Sequence, residues 1–349
     1  MLFAALRDMQ WRRRRFVIAV VSTGLVFAMT LLLTGLANGF RVEATQTVDS
    51  MGIDAFAIKS NSPGPFLGAT PFPDVDVPAV RSALGAANVG GLACAQSTFK
   101  DGTSSRNTTA FGAPKDGPGM PKVSKGNTPT TPDEVAVSST LGRDVGDELQ
   151  VGARTLRIVG IVPNSTALAK MPNIFLTTEG LQKLAFNGQP VITSIGIVGA
   201  PHDLPADYKT LDRAAAVDDL MRPLKVAVDA ITIVAVLLWI LAALIVGSIV
   251  YLSALERVRD FAVFKAIGAS TKAILGGLAL QAVIVALLAA LMGVIFAQLL
   301  APLFPMTVVV PWSAYVALPG IAVVIGLLAS AAGMRRVVSV DPALAFGGP

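Results

Sequence analysis

Cysteine and histidine are almost missing from this chain of 349 residues, where Cys94 and His202 each stand alone. One thiol cannot form an intrachain disulfide, and one thiol with one imidazole cannot build a thiolate metal cluster. His202 lies in Ala200-Pro201-His202-Asp203-Leu204-Pro205, a run that favours an exposed turn over a catalytic site. No Gly-x-x-x-x-Gly-Lys-Ser/Thr occurs, so the chain does not cradle a nucleotide phosphate by that loop. Charge is scarce too. Charged residues make up 15% and hydrophobic residues 53%, with a mean hydropathy of +0.64, too apolar for an ordinary soluble protein of this size. This composition places the chain in a membrane.

The few charges are unevenly distributed. Residues 1–15, 254–272 and 334–349 hold eleven of the 28 Lys/Arg but only four of the 23 acids: Asp8, Glu256, Asp260 and Asp341. Everything else carries seventeen basic residues against nineteen acids. A basic surplus confined to the ends of apolar segments marks the cytoplasmic side of a membrane and argues against a nucleic-acid partner.

In residues 1–15, Leu2, Phe3, Leu6 and Met9 share one helical face, and Arg12, Arg13, Arg14 and Arg15 follow. The pattern predicts an amphipathic helix on the inner membrane surface, ending in a basic anchor to lipid. Residues 16–36 are uncharged and, at about 1.5 Å per residue, reach across ~30 Å of hydrocarbon, making a first span. The run is longer than the ~7–15-residue core of a cleaved signal peptide. A second span is expected over 230–254. No charge appears from Ala273 to Met334, a stretch of 62 residues. Two further spans fit there, 273–300 and 314–334, divided by an outer loop at 301–313 with helix-breaking Pro302, Pro305 and Pro311. Residues 335–349 form a cytoplasmic tail opened by Arg335-Arg336. No span carries a central charge, which disfavours an ion-coupled pump.

Residues 41–225 have a different texture, with charges of both signs, many Gly and Pro, and short apolar runs. They predict an extracytoplasmic α+β domain. Asp54 to Ile58 alternates as a strand. Glu148–Val151 and Thr155–Val162 read as a hairpin around a Gly-Ala-Arg turn. A strand at Ile174–Leu176, a short helix over Thr177–Ala185 and a strand over Val191–Val198 follow. Pro63–Pro78 and Asp101–Pro132 read as long loops or mobile flaps. Phe66, Phe72, Phe99 and Phe111 fall in or near them, where aromatic residues fill a core more often than they greet a ligand. The expected fold is thus an α-helical membrane protein with four transmembrane helices and an α+β extracytoplasmic domain inserted between helices 1 and 2.

Between the second and third spans lies a charged island, residues 255–272. In it, Glu256 with Arg259 and Arg257 with Asp260 make opposite-charge i,i+3 pairs beside an apolar strip, and Gly268 is a natural helix stop. By spacing alone this is either a solvated loop or a docking helix. The run Glu256-Arg257-Val258-Arg259-Asp260-Phe261-Ala262-Val263-Phe264-Lys265-Ala266-Ile267-Gly268-Ala269-Ser270 is similar to the coupling loop of the MacB/FtsX family of ABC transporter permeases. Gly146-Asp147 through Val159-Gly160-Ile161 is similar to that family's extracytoplasmic Gly-Asp…Val-Val-Gly-Ile hairpin, and Val340-Asp341-Pro342-Ala343-Leu344-Ala345 is similar to a weaker tail pattern. In order and topology the whole chain resembles this mechanotransmitting, type VII group.

The resemblance implies a non-enzymatic permease subunit in the plasma or inner membrane, with both termini cytoplasmic. Its partner would be a cytoplasmic ABC ATPase dimer, docked at Glu256, Arg257, Arg259, Asp260, Phe261, Lys265 and Gly268. ATP and Mg would sit in that partner, and this chain would hold no cofactor or metal. A second permease copy is implied, as a homodimer or a related pair. Export, extraction or release of a substrate at the outer side is the expected activity. An FtsX-like regulator of a cell-wall hydrolase or a sensor, and an amino-acid or solute importer, are the alternatives; an extracytoplasmic adaptor stays open. Asp260-Phe261-Ala262 departs from the Glu-Ile-Gly of many members.

Overall fold

The computed structural model describes residues 13–84, 88–201, 204–256, 263, 268 and 270–338. The chain divides into a helical unit, Met1–Asn38 with Val228–Pro349, and a second unit, Gly39–Ala227. In order, the elements are α1 (Arg13–Ser50), β1 (Ala55–Lys59), β2 (Phe72–Pro73), α2 (Val77–Leu84), β3 (Val89–Asp101), β4 (Ser104–Ala113), β5 (Lys125–Gly126) and β6 (Glu134–Ser138). Then come β7 (Glu148–Val151), β8 (Arg154–Val162), β9 (Thr166–Ala167), β10 (Met171–Thr177), α3 (Thr178–Ala185), β11 (Val191–Ile192), β12 (Ser194–Ile197) and β13 (Tyr208–Asp212). Helices α4 (Arg213–Leu220), α5 (Lys225–Glu256), α6 (Thr271–Leu300) and α7 (Trp312–Val338) complete the chain.

In the second unit, strand pairing closes on itself. β3 pairs β4, β4 pairs β10, β10 pairs β6, β6 pairs β8 and β8 pairs β7; β7 returns to β3 through Phe99 opposite Val151. A closed ring leaves no open edge. Each of these six strands gives side chains to one buried cluster. Ala93, Phe99, Ala110, Val135, Val137, Leu149, Val151, Leu156, Ile158, Ile174 and Leu176 belong to it, so it fills the ring, with Leu181 of α3 joining them. The alternate residues Phe111, Ala136 and Phe175 face away and meet Ala44 and Val48 of α1, Met51 just after it, Phe66, and Ala216, Val217 and Leu220 of α4. β12, β1 and β13 extend the sheet beyond β3.

Of the two regions read as loops, the start of Asp101–Pro132 is a strand, and the Pro63 stretch is a loop held in place. Asp101-Gly102 is the turn of a long β3–β4 hairpin, with Gly102 at φ 62, and β4 lies in the middle of the sheet. Its first half, Ser104–Asn107, is exposed and polar, which hides the apolar alternation. The proline-rich stretch after Pro63 is pinned from below. Asp219, only 3% exposed, accepts from the backbone N–H of Phe66 (2.8 Å) and Gly68 (3.1 Å) and from Arg222 Nε (3.0 Å). This holds Phe66 edge-on between Phe56 and Phe111, which stacks on Phe175. Phe66, Phe72, Phe99 and Phe111 are all buried core residues.

A second polar cluster ties β1 to β13. Lys59 Nζ lies 2.7 Å from Asp76 Oδ2 and 2.7 Å from Asp207 Oδ2, and 4.2 Å from the centre of the Tyr208 ring. The Tyr208 hydroxyl donates to Asp76 Oδ2 at 2.7 Å. Burial disfavours the Lys59 charge, but its hydrogen bonds to Asp207, Asp76 and Tyr208 outweigh that and hold its pKa above the ordinary lysine range. The hydrogen bond from Lys59, then that from Tyr208, keeps Asp76 below the usual carboxylate range. Burial first, and then the bond to Asp76, push Tyr208 up to about 12.

The β9–β10 turn is unusual. Leu168, Ala169 and Lys170 have φ of 55, 68 and 61, three consecutive non-glycine residues in a region costing ~1–2 kcal/mol each.

The helical unit packs through small residues. A Cβ on Gly24 of α1 would stand 3.0 Å from Met292 Cβ, and one on Gly293 of α6 would stand 2.7 Å from Phe27 Cβ. A Cβ on Gly326 of α7 would stand 2.9 Å from Val283 Cα, so α6 is closely approached by both neighbours. At the turn between α6 and α7, the Val309 N–H donates to Gly35 O at 2.9 Å and Asn38 Nδ2 donates to Val309 O at 2.8 Å.

Asp219→Ala should lower the unfolding free energy by ~2–3 kcal/mol, because two backbone N–H groups lose their acceptor. Limited proteolysis of the full chain should then cut between Pro63 and Thr70, which wild type resists. Lys59→Met should cost ~1 kcal/mol at pH 7. The depressed Asp76 contributes stability above the ordinary aspartate pKa and loses it as pH falls through its own lower value; the raised Lys59 contributes below the ordinary lysine value. The difference in melting temperature between wild type and Lys59→Met should therefore stay level from about pH 5 to pH 9 and shrink below about pH 4.

Candidate functional site

Helix α5 ends at Glu256, which is exposed, and α6 begins after Ser270, whose carbonyl accepts from Ile274 N–H at 3.3 Å. Gly268 is exposed in a turn at φ 91 with nothing within 4 Å of a would-be Cβ, a conformation that suits glycine and arrests a helix. Val263 is 47% exposed and Lys272 is exposed in the first turn of α6. Arg257, Arg259, Asp260, Phe261 and Lys265 lie outside the described residues, as do Arg12 and His202. Arg13 opens α1, and Arg14 is exposed on it, while Arg15 belongs to its first turn. The described part of the island is thus an exposed helix end, a glycine turn and an exposed helix start. A cationic run after a helix C-terminus also suits the partial negative charge there.

Among the described residues, three helical stretches are long and apolar enough to cross a membrane: Phe16–Ser50, Arg222–Ile249 and Gly276–Leu303. Trp312–Leu328 is apolar but shorter. On α5, Ile233, Val236, Leu237, Ile240, Leu244 and Leu252 are exposed, an apolar surface that water would not tolerate and a bilayer would.

Within the second unit, a cleft of about 570 Å³ opens between the end of α1 and the β8–β9 connection. Gln46, Thr47, Asp49, Lys122, Ser165 and Thr166 are among its lining residues. Among the described residues no group of three His, Cys, Asp or Glu side chains could hold a metal. Cys94 is buried, and burial pushes its thiol pKa up, away from the reactive thiolate. Sequence reasoning missed buried Glu43 and Asp219, whose only signal is an acid inside an otherwise apolar helical face.

Two family descriptions match the chain. "MacB-like periplasmic core domain" covers residues 16–209, and "FtsX-like permease C-terminal" covers residues 232–342. An ABC transporter permease of Mycobacterium tuberculosis (strain ATCC 25618 / H37Rv) is 75% identical over 349 residues, 100% of both chains. A second permease of that strain is 68% identical, again over 100% of both. HrtB of Staphylococcus haemolyticus (strain JCSC1435), named as a hemin transport system permease protein, is 20% identical over 359 residues, 99% of each chain. Among solved structures, the extracellular domain of the noncanonical ABC-type transporter YknZ from Gram-positive bacteria aligns with a TM-score of 0.33 at 14% identity, over 46% of this chain and 99% of that one. With two family descriptions spanning both units and full-length relatives at this identity, the chain belongs to the MacB/FtsX family of ABC transporter permeases.

Proposed function

We propose that this permease converts ATP hydrolysis in a separate cytoplasmic ATPase into movement of its outer domain, for export, extraction or release of a substrate outside the membrane. The ATPase contact is formed by Glu256, Arg257, Arg259, Asp260, Phe261, Lys265 and Gly268. The observation that carries this reading is the exposed end of α5 at Glu256, with only fourteen residues before α6 begins at Thr271. Four of those fourteen are charged, between apolar stretches that hold no charge from Ala230 to Leu255 or from Ala273 to Met334. A short charged link between two apolar helices is a handle by which a soluble motor can move both. Uncharged spans also favour work at the outer surface over ion-coupled passage.

Four crossings complete the topology: α1, α5, α6 and α7. The apolar part of α7, 17 residues long, reaches ~25 Å and stands at the short end of what spans a bilayer. An even count returns both chain ends to the side with the basic surplus and puts residues 41–225 outside, between the first and second spans. Arg12 to Arg15 anchor the inner end of α1 to anionic lipid. ATP and Mg belong to the ATPase dimer, and this chain carries no cofactor. A second copy of the permease completes the complex.

Purification of the detergent-solubilised chain should bring down an ATPase, and Glu256→Ala/Arg257→Ala should release at least ~90% of it, a loss of about 1.4 kcal/mol or more in binding, while the melting temperature stays within a few degrees. An unchanged yield of ATPase in that variant would sink the assignment of this contact.

A further inference from the structure

We propose that Glu43 and Thr47, one helical turn apart on α1, form a two-point grip that carries ATP-driven movement of this helix into β10. The proposal rests on the mechanical reading above. Both residues are 2% exposed and stand four positions apart, hence on one face of the helix. Glu43 Oε2 accepts from the Lys170 N–H at 2.9 Å. Thr47 Oγ1 donates to Thr166 O at 3.0 Å and accepts from Asn173 Nδ2 at 3.0 Å. One point of the grip therefore holds the end of the strained turn, and the other holds both arms of the β9–β10 hairpin.

The position of β10 gives this contact its reach. β10 pairs with β4 on one side and β6 on the other, within the ring, and with β9 at its start. A displacement of Lys170 or Asn173 is thus passed to the centre of the sheet. α1 buries Ala44 and Val48 in the same apolar cluster as Ala167, Leu168 and Phe175, and that packing alone would serve stability. Beside it α1 also buries a carboxylate, which is costly unless its hydrogen bonds are kept, and this adds a directional component to the contact. Two features leave the hairpin free to shift. Three successive positive φ angles, at Leu168, Ala169 and Lys170, are an unfavourable state that needs holding. The cleft lined by Thr47, Ser165 and Thr166 lies against the grip, so this side of the hairpin has room to shift. Asn173 Oδ1, fully buried, has no hydrogen-bond partner, an acceptor that a second arrangement could satisfy.

The test is hydrogen exchange on the full-length permease with its ATPase partner in lipid nanodiscs, with and without Mg-ATP. Without nucleotide, Glu43→Ala should speed exchange of the Lys170 amide by about 10-fold or more. Glu43→Gln keeps an acceptor and should lose far less. Adding Ala169→Gly to Glu43→Ala relieves the positive φ and should restore protection of the turn. With Mg-ATP, wild type and Glu43→Gln should show a change in exchange over residues 171–177, and both Glu43→Ala and the double variant should not. If Ala169→Gly restores the ATP response together with the turn, Glu43 only holds a loop and the grip is refuted. If the ATP response of 171–177 persists in Glu43→Ala, or wild type responds only elsewhere in the outer domain, the grip is refuted while the mechanical reading stands. If the ATPase turns over and no part of 41–225 responds in wild type, the mechanical reading fails and the grip with it.

Discussion

In a bilayer, every backbone N–H and C=O must find a partner within its own segment, and in a small sheet the same requirement at the edges is met by closing the strands into a ring. Both solutions appear in this chain. The apolar stretches are helical almost without interruption, and small residues at Gly24, Gly293 and Gly326 allow them to approach closely. The second unit closes six strands through the pairing of Phe99 with Val151. Its core divides accordingly into one cluster inside the ring and another outside it, against α1, Phe66 and α4. Closure also explains why a domain so rich in glycine and proline has a well-packed interior: the ladder is satisfied first, and loops are laid over it.

How much of this could be read from the residues depended on whether a signal was local. The hairpin of β7 and β8 is one: Gly152 at φ 56 sits in its turn, and Leu149 and Val151 alternate with polar residues. Thr177 caps α3 by accepting from Gly180 N–H at 3.0 Å, as a threonine before a helical run should. Pro223 interrupts the helical approach to α5 with a short 3-10 turn. β4 was illegible because its exposed half is Ser104-Ser105-Arg106-Asn107, although Asp101-Gly102 is a hairpin signal in its own right. The pinning of the Pro63–Gly68 stretch was illegible for a different reason. Its partner, Asp219, lies 151 residues away from Gly68, and no periodicity announces a contact of that kind.

Buried and half-buried polar side chains mark the places where this domain is specified and not merely collapsed. Asp219 fixes one loop, the Lys59–Asp76–Tyr208 cluster fixes the β1–β13 edge, and Glu43 fixes the β9–β10 turn. Apolar packing is tolerant of small slips, whereas a carboxylate holding backbone N–H groups accepts one geometry. These contacts cost stability whenever they are broken, so they transmit a displacement in preference to absorbing it.

The proposed reading asks this permease for movement and not for bond chemistry. What it can supply is geometry. Helix α1 runs unbroken for 38 residues from Arg13 to Ser50, and no proline interrupts it. For such a helix to pass on a shift, as the proposal requires, its far end needs a directional hold beyond the apolar packing of Ala44 and Val48. The acid at 43 and the hydroxyl at 47, both buried and both engaged on the β9–β10 hairpin, meet that condition. The same reasoning applies to the opposite end of the machine. The short charged link between α5 and α6, with a glycine turn at Gly268, gives the proposed ATPase contact two helices to move at once. Under that proposal, a directional hold at 43 and 47 beside a strained turn at 168–170 makes the β9–β10 hairpin the element whose state an ATPase could change.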